Sequence, residues 1–158
     1  MKKAIIFSSA TDNTKKLAQA IYDNLEDVIY CGKPSEEALE ADLIFVGSWT
    51  KGATCIPDIK ECLGAITNKK LFLFMTAGYG STEEFFAPII NSMKEAVNDT
   101  NKVVGTFICQ GKVSDAKQAA IKKTDEAKYE AMKSELDNST THPDEADIAK
   151  LVAMIKAL

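Results

Sequence analysis

Five short apolar runs, each followed by a stretch of different periodicity, constrain this chain more than anything else in it. They are Ala4-Ile5-Ile6-Phe7-Ser8, Asp27-Val28-Ile29-Tyr30-Cys31, Asp42-Leu43-Ile44-Phe45-Val46-Gly47, Lys70-Leu71-Phe72-Leu73-Phe74-Met75-Thr76 and Lys102-Val103-Val104-Gly105-Thr106-Phe107-Ile108-Cys109. A strand with one face in water alternates apolar and polar residues. These runs do not alternate, so they read as strands covered on both faces. The stretches between them have helical spacing. Leu17, Ala18, Ile21, Tyr22 and Leu25 share one face, as do Phe85, Phe86, Ile89, Ile90, Met93 and Val97, and Pro57 opens a third helix through Ile66. Strands alternating with helices give a parallel sheet. Right-handed crossovers then favour a doubly wound, five-stranded parallel α/β sheet of order 2-1-3-4-5 with helices on both faces.

The remaining segments are less regular. Lys33 to Leu39 reads as a turn with one helical turn at most, and Ser114 to Leu136 as a largely exposed helix rich in Ala, Lys and Glu. A polar connector reaches Thr141, and Pro143-Asp144-Glu145 opens a last helix with acids in its first turn. No repeat or domain boundary is visible, so residues 1–158 are expected to form a single domain.

Composition narrows the partners. A net charge of −4 and a pI near 5.1 disfavour nucleic acid. No apolar run reaches membrane-spanning length, and Met1-Lys2-Lys3 leads straight into a strand, so a cytoplasmic setting is expected. The four cysteines contain no C-x-x-C and meet only one histidine, which disfavours a zinc site. Cys62 and Cys109 read as small buried hydrophobes; Cys55 lies in a loop near the expected site.

Parallel sheets of this kind bind ligands beyond the carboxyl ends of their strands, near the switch point between strands one and three. The loop after strand one is Ser9-Ala10-Thr11-Asp12-Asn13-Thr14. Any strand-to-helix turn carries one or two such residues as caps. This run is longer than capping needs, and its hydroxyls, backbone N–H groups and helix dipole suit a phosphate monoester. After strand three come Ser48-Trp49-Thr50-Lys51-Gly52, with the chain's one tryptophan, a flat apolar surface that could stack on a ring or simply pack. After strand four come Ala77-Gly78-Tyr79-Gly80, and after strand five Gln110-Gly111-Lys112. Gln110 could reach a ligand's edge or only end its strand. His142 reads as a loop or cap residue.

The first loop resembles the flavodoxin phosphate loop, T/S-x-T/S-G-N/Q-T, and the likeness extends over nearly the whole chain. The resemblance implies FMN as cofactor, with Ser9, Thr11, Asp12, Asn13 and Thr14 around its phosphate. It implies Ser48, Trp49, Thr50, Lys51, Gly52, Ala77, Gly78, Tyr79, Gly80 and Gln110 around its ring, and no catalytic or metal-binding residues. Asp12 stands where the family has Gly. At about 6 Å each pair of like unit charges repels by roughly 0.7 kcal/mol in water and about 3 kcal/mol at a dielectric near 20, so its carboxylate must face solvent. The tryptophan loop, Phe107-Ile108-Cys109-Gln110-Gly111-Lys112 and His142-Pro143-Asp144-Glu145 look like a smaller branch, some members of which accompany reductases of tetrapyrrole pigments. The implied function is a one-electron carrier serving a redox partner protein, either a reductase or an acceptor enzyme. In it Gly52 with Lys51 would supply a peptide that flips as the flavin gains an electron, and Lys51 would favour the anionic reduced form. A flavin-dependent reductase of a small substrate and a flavin-free interaction module remain open beside it. There is no G-x-x-x-x-G-K-S/T or G-x-G-x-x-G, and no acid pair suited to a phosphorylated receiver.

Overall fold

A computed structural model describes all of residues 1–158. The strands are β1 (Lys3–Phe7), β2 (Val28–Gly32), β3 (Leu43–Lys51), β4 (Thr54–Cys55), β5 (Lys70–Ala77) and β6 (Lys102–Gln110). The helices are α1 (Asn13–Asp23), α2 (Pro57–Ala65), α3 (Glu83–Glu95), α4 (Asp115–Thr124), α5 (Glu126–Ser139) and α6 (Glu145–Lys156). A 3₁₀ turn, Glu36–Glu40, capped by the Ser35 side chain, takes up the segment before β3.

The five long strands are all parallel, in the order β2-β1-β3-β5-β6. With the short β4 set aside, this is the doubly wound order that the alternation predicts. Successive residues of a strand face opposite sides of the sheet, so two cores form. Ile6, Ile44, Val46, Leu73 and Met75 meet Ile59 and Leu63 of α2 and Ile89 and Met93 of α3. On the other face, Ile5, Phe45, Phe72, Phe74 and Phe107 meet Leu17 and Ile21 of α1 and Leu151 and Ile155 of α6. Each fully buried Leu or Ile of these layers contributes about 1.5–3 kcal/mol relative to exposure.

Two segments differ from the sequence expectation. β3 does not end at Gly47 but runs on to Lys51, turns at Gly52 and Ala53, and pairs antiparallel with β4. Both turn residues have φ of 60°, the sign that matches the twist of a tight two-residue hairpin. The helix expected from Ser114 to Leu136 is two helices. Asp125, at φ −154°, leaves the helical path, and its carboxylate accepts from the Lys128 N–H at 3.0 Å, opening α5. The expected exposure holds: α4 buries no residue, and α5 buries only Leu136 and Ser139.

Candidate functional site

At the carboxyl end of β1 the chain must turn sharply from the sheet into α1. Asp12 makes the turn with φ 65° and ψ −5°, in the left-handed region that Asp tolerates better than most residues. Its carbonyl accepts the first helical bond, from the Lys16 N–H at 2.9 Å. Its carboxylate is exposed and makes no capping bond. Ser9 takes that duty, its hydroxyl accepting from the Lys15 N–H at 3.2 Å. The backbone N–H groups of Ser9, Ala10, Thr11 and Asp12 donate to no protein acceptor. Four consecutive free donors thus lead into the positive end of a helix.

The other two loop residues are tied inward. The Asn13 side-chain amide donates to the Thr11 hydroxyl at 3.3 Å and to the Lys112 carbonyl at 2.9 Å. Thr14 is fully buried, its hydroxyl 3.2 Å from that of Thr76 at the end of β5. From outside, the loop is braced by the far end of the chain. The Lys112 N–H donates to the His142 carbonyl at 2.9 Å, and the Lys16 ammonium to the Pro143 carbonyl at 2.6 Å. Gly111 allows this close approach: a Cβ there would lie 2.7 Å from the Asn13 amide nitrogen.

Two further loops border the same end of the sheet. Ser48 is buried and spent on the backbone, donating to the Trp49 carbonyl at 2.7 Å and accepting from the Ile56 N–H at 3.1 Å. Trp49 is half-buried and leans on the core under α2 and α3. The Thr50 hydroxyl donates to the Thr76 carbonyl at 2.8 Å. Lys51 and Gly52 form the exposed hairpin tip. Beyond β5, Ala77 is buried and its carbonyl accepts from the Gly111 N–H at 3.0 Å. Gly78 and Tyr79 are half-exposed, and Gly80 packs under the Phe85 ring. The Lys117 ammonium of α4 lies 4.9 Å from the centre of the Tyr79 ring, a cation–π contact that sequence reasoning missed. Gln110 is 2% exposed, and α5 holds its amide at both ends: it donates to the Glu135 carbonyl at 3.2 Å and accepts from Asn138 at 3.0 Å. Of its two readings, this geometry corresponds to the strand-ending one.

Two cysteines near this end of the sheet, Cys55 and Cys109, are buried. Burial raises the Cys55 thiol above its ordinary range. It raises Cys109 further, with the charges of Asp147 and Asp144 adding to the effect. A groove of about 490 Å³ runs beside the site along the free edge of β6, lined among others by Ser81, Phe86, Gln110, His142 and Asp147. His142 sits in its wall with Nδ1 2.6 Å from the Asp147 carboxylate, a residue of the α6 cap.

Comparison with known proteins covers the whole of this architecture. A flavodoxin domain model matches residues 4–156. A flavodoxin-like domain-containing protein BilS of Clostridioides difficile is 32% identical, across 94% of this chain and 90% of its own. The oxidised Flavodoxin 2 of Bacillus cereus superposes over 100% of both chains with a TM-score of 0.61 at 20% identity. A flavoprotein of Lactobacillus acidophilus, solved in complex with FMN, superposes with a TM-score of 0.53 at 19% identity, over 68% of this chain and 93% of that one.

Proposed function

The chain belongs to the flavodoxin family, and from that membership we propose that it binds FMN and carries electrons to or from a partner protein, a reductase or an acceptor enzyme. The observation that carries this reading is the row of free N–H donors from Ser9 to Asp12 at the mouth of α1. Its chemistry fits a phosphate ester: unpaired backbone donors, the Ser9 and Thr11 hydroxyls, and a helix dipole of the right sign. Asn13 and Thr14 serve the same loop by fixing its path, one to Lys112 and the other to Thr76. Trp49 and Tyr79 are the aromatic surfaces offered to the isoalloxazine, with Ser48 and Thr50 holding the first of their loops in place. Gly78 and Gly80 let the loop after Ala77 pack closely on Val113 and on the Phe85 ring, which sets the place of Tyr79 between them. Lys51 and Gly52, at the exposed tip, are the groups that would face its reactive edge, and Gln110 fixes the neighbouring rim through α5.

Bound FMN supplies the one-electron chemistry, and the protein's share is to bind, orient and bias it. Absorbance titration with FMN tests the reading. The expected result is a saturable one-to-one complex with a perturbed flavin spectrum; a spectrum unchanged at millimolar FMN would refute it. The groove beside β6 supports a second reading, a reductase of a small substrate. Turnover of NAD(P)H or a quinone by the FMN-loaded protein alone would favour that second reading.

A further inference from the structure

Asp12 does nothing for the fold that another residue could not do. Its backbone conformation, φ 65°, is one that Gly adopts at no steric cost. Its carboxylate makes no capping bond, because Ser9 satisfies the Lys15 N–H instead. What the side chain does contribute is a negative charge on the last residue of the row of unpaired donors. Asp12 forms no salt bridge: the Lys16 ammonium, which borders the same surface hollow together with Lys15, is bound to the Pro143 carbonyl at 2.6 Å. A helix N-terminus attracts anions in general, so an acid at its mouth subtracts from that attraction in proportion to the charge of whatever binds.

We infer that Asp12 is a charge-selectivity residue: it weakens the hold on a doubly charged phosphate ester while leaving an uncharged flavin unaffected, and so keeps the cofactor exchangeable. The inference rests on the FMN reading above. A dianion and one carboxylate about 6 Å apart repel by enough, even at the dielectric of bulk water, to cost about tenfold in affinity, and a drier mouth magnifies this.

The test is a fluorescence titration of wild type, Asp12→Asn and Asp12→Gly with FMN and, in parallel, riboflavin. Both variants are expected to bind FMN about tenfold or more tightly than wild type, with riboflavin affinity within about twofold. The FMN difference should shrink as salt rises, and again below about pH 6, where the phosphate takes up a proton. Neither dependence would follow from a purely steric role. Circular dichroism establishes that each variant is folded, and the two variants guard against the loss of either. FMN bound equally by wild type and Asp12→Asn, or a riboflavin gain as large as the FMN gain, would overturn this inference alone. If no form takes up FMN, both it and the functional reading fall.

Discussion

Thr14 and Thr76 lie 62 residues apart and share one hydrogen bond, with both side chains closed off from water. Replacing Thr14 by Val keeps the shape and leaves the Thr76 hydroxyl without a partner. The expected loss is about 1–3 kcal/mol of stability, read by urea denaturation, with Thr14→Ser recovering most of it. Gly111 acts at the same scale. A methyl there would meet Asn13 at the amide carbon, 2.9 Å away, as well as at the nitrogen, so the amide must swing off the Lys112 carbonyl. Gly111→Ala is expected to lower the melting temperature by about 2–4 °C, since the unliganded protein already makes this bond, and to weaken FMN binding by about threefold to tenfold. Equal affinity would show that the brace does not shape the loop. Sequence reading finds the loop itself, because Ser, Thr and Asn at a strand-to-helix turn have a local physical meaning. It does not find the braces: Asn13 to Lys112 spans 99 residues and Lys16 to Pro143 spans 127, distances at which no periodicity carries information.

Among the elements, α6 begins most firmly. Asp144 accepts from the Asp147 N–H at 2.9 Å while Asp147 accepts from the Asp144 N–H at 3.0 Å, a reciprocal cap. The backbone bond from Asp147 is the main reason the Asp144 carboxyl sits below its ordinary value of 3.8. A depressed carboxyl stabilises the fold fully above its ordinary value and loses that contribution as pH falls through the folded one. Asp144→Ala should therefore lower the melting temperature by about 2–4 °C at neutral pH, with the gap closing below about pH 4. A gap that persists in acid would assign the effect to packing. The helix start was legible from Pro143-Asp144-Glu145, whereas the break at Asp125 was not. Asp125 lies in a stretch of good helix formers, and only its role as a cap for α5 sets it apart. The β3–β4 hairpin escaped notice for a related reason: Ala53 adopts a positive φ that its residue type disfavours, and Lys51-Gly52 alone reads as a loop.

At the scale of the molecule, the sheet order and both cores follow from the apolar runs, since strands buried on both faces admit few arrangements. No helix is long and apolar enough to cross a membrane. With a net charge of −4 the overall field would oppose any dianionic ligand, so local donors count for more than the overall charge. The ties from Asn13 and Lys16 to Lys112 and Pro143 also make the first loop depend on residues far along the chain. Residues 1–100 contain the Thr14–Thr76 bond but neither of these two ties. Residues 1–110 alone would lack both ties, so a flavin site built on this loop would depend on residues 111–143 as much as on the loop's own sequence.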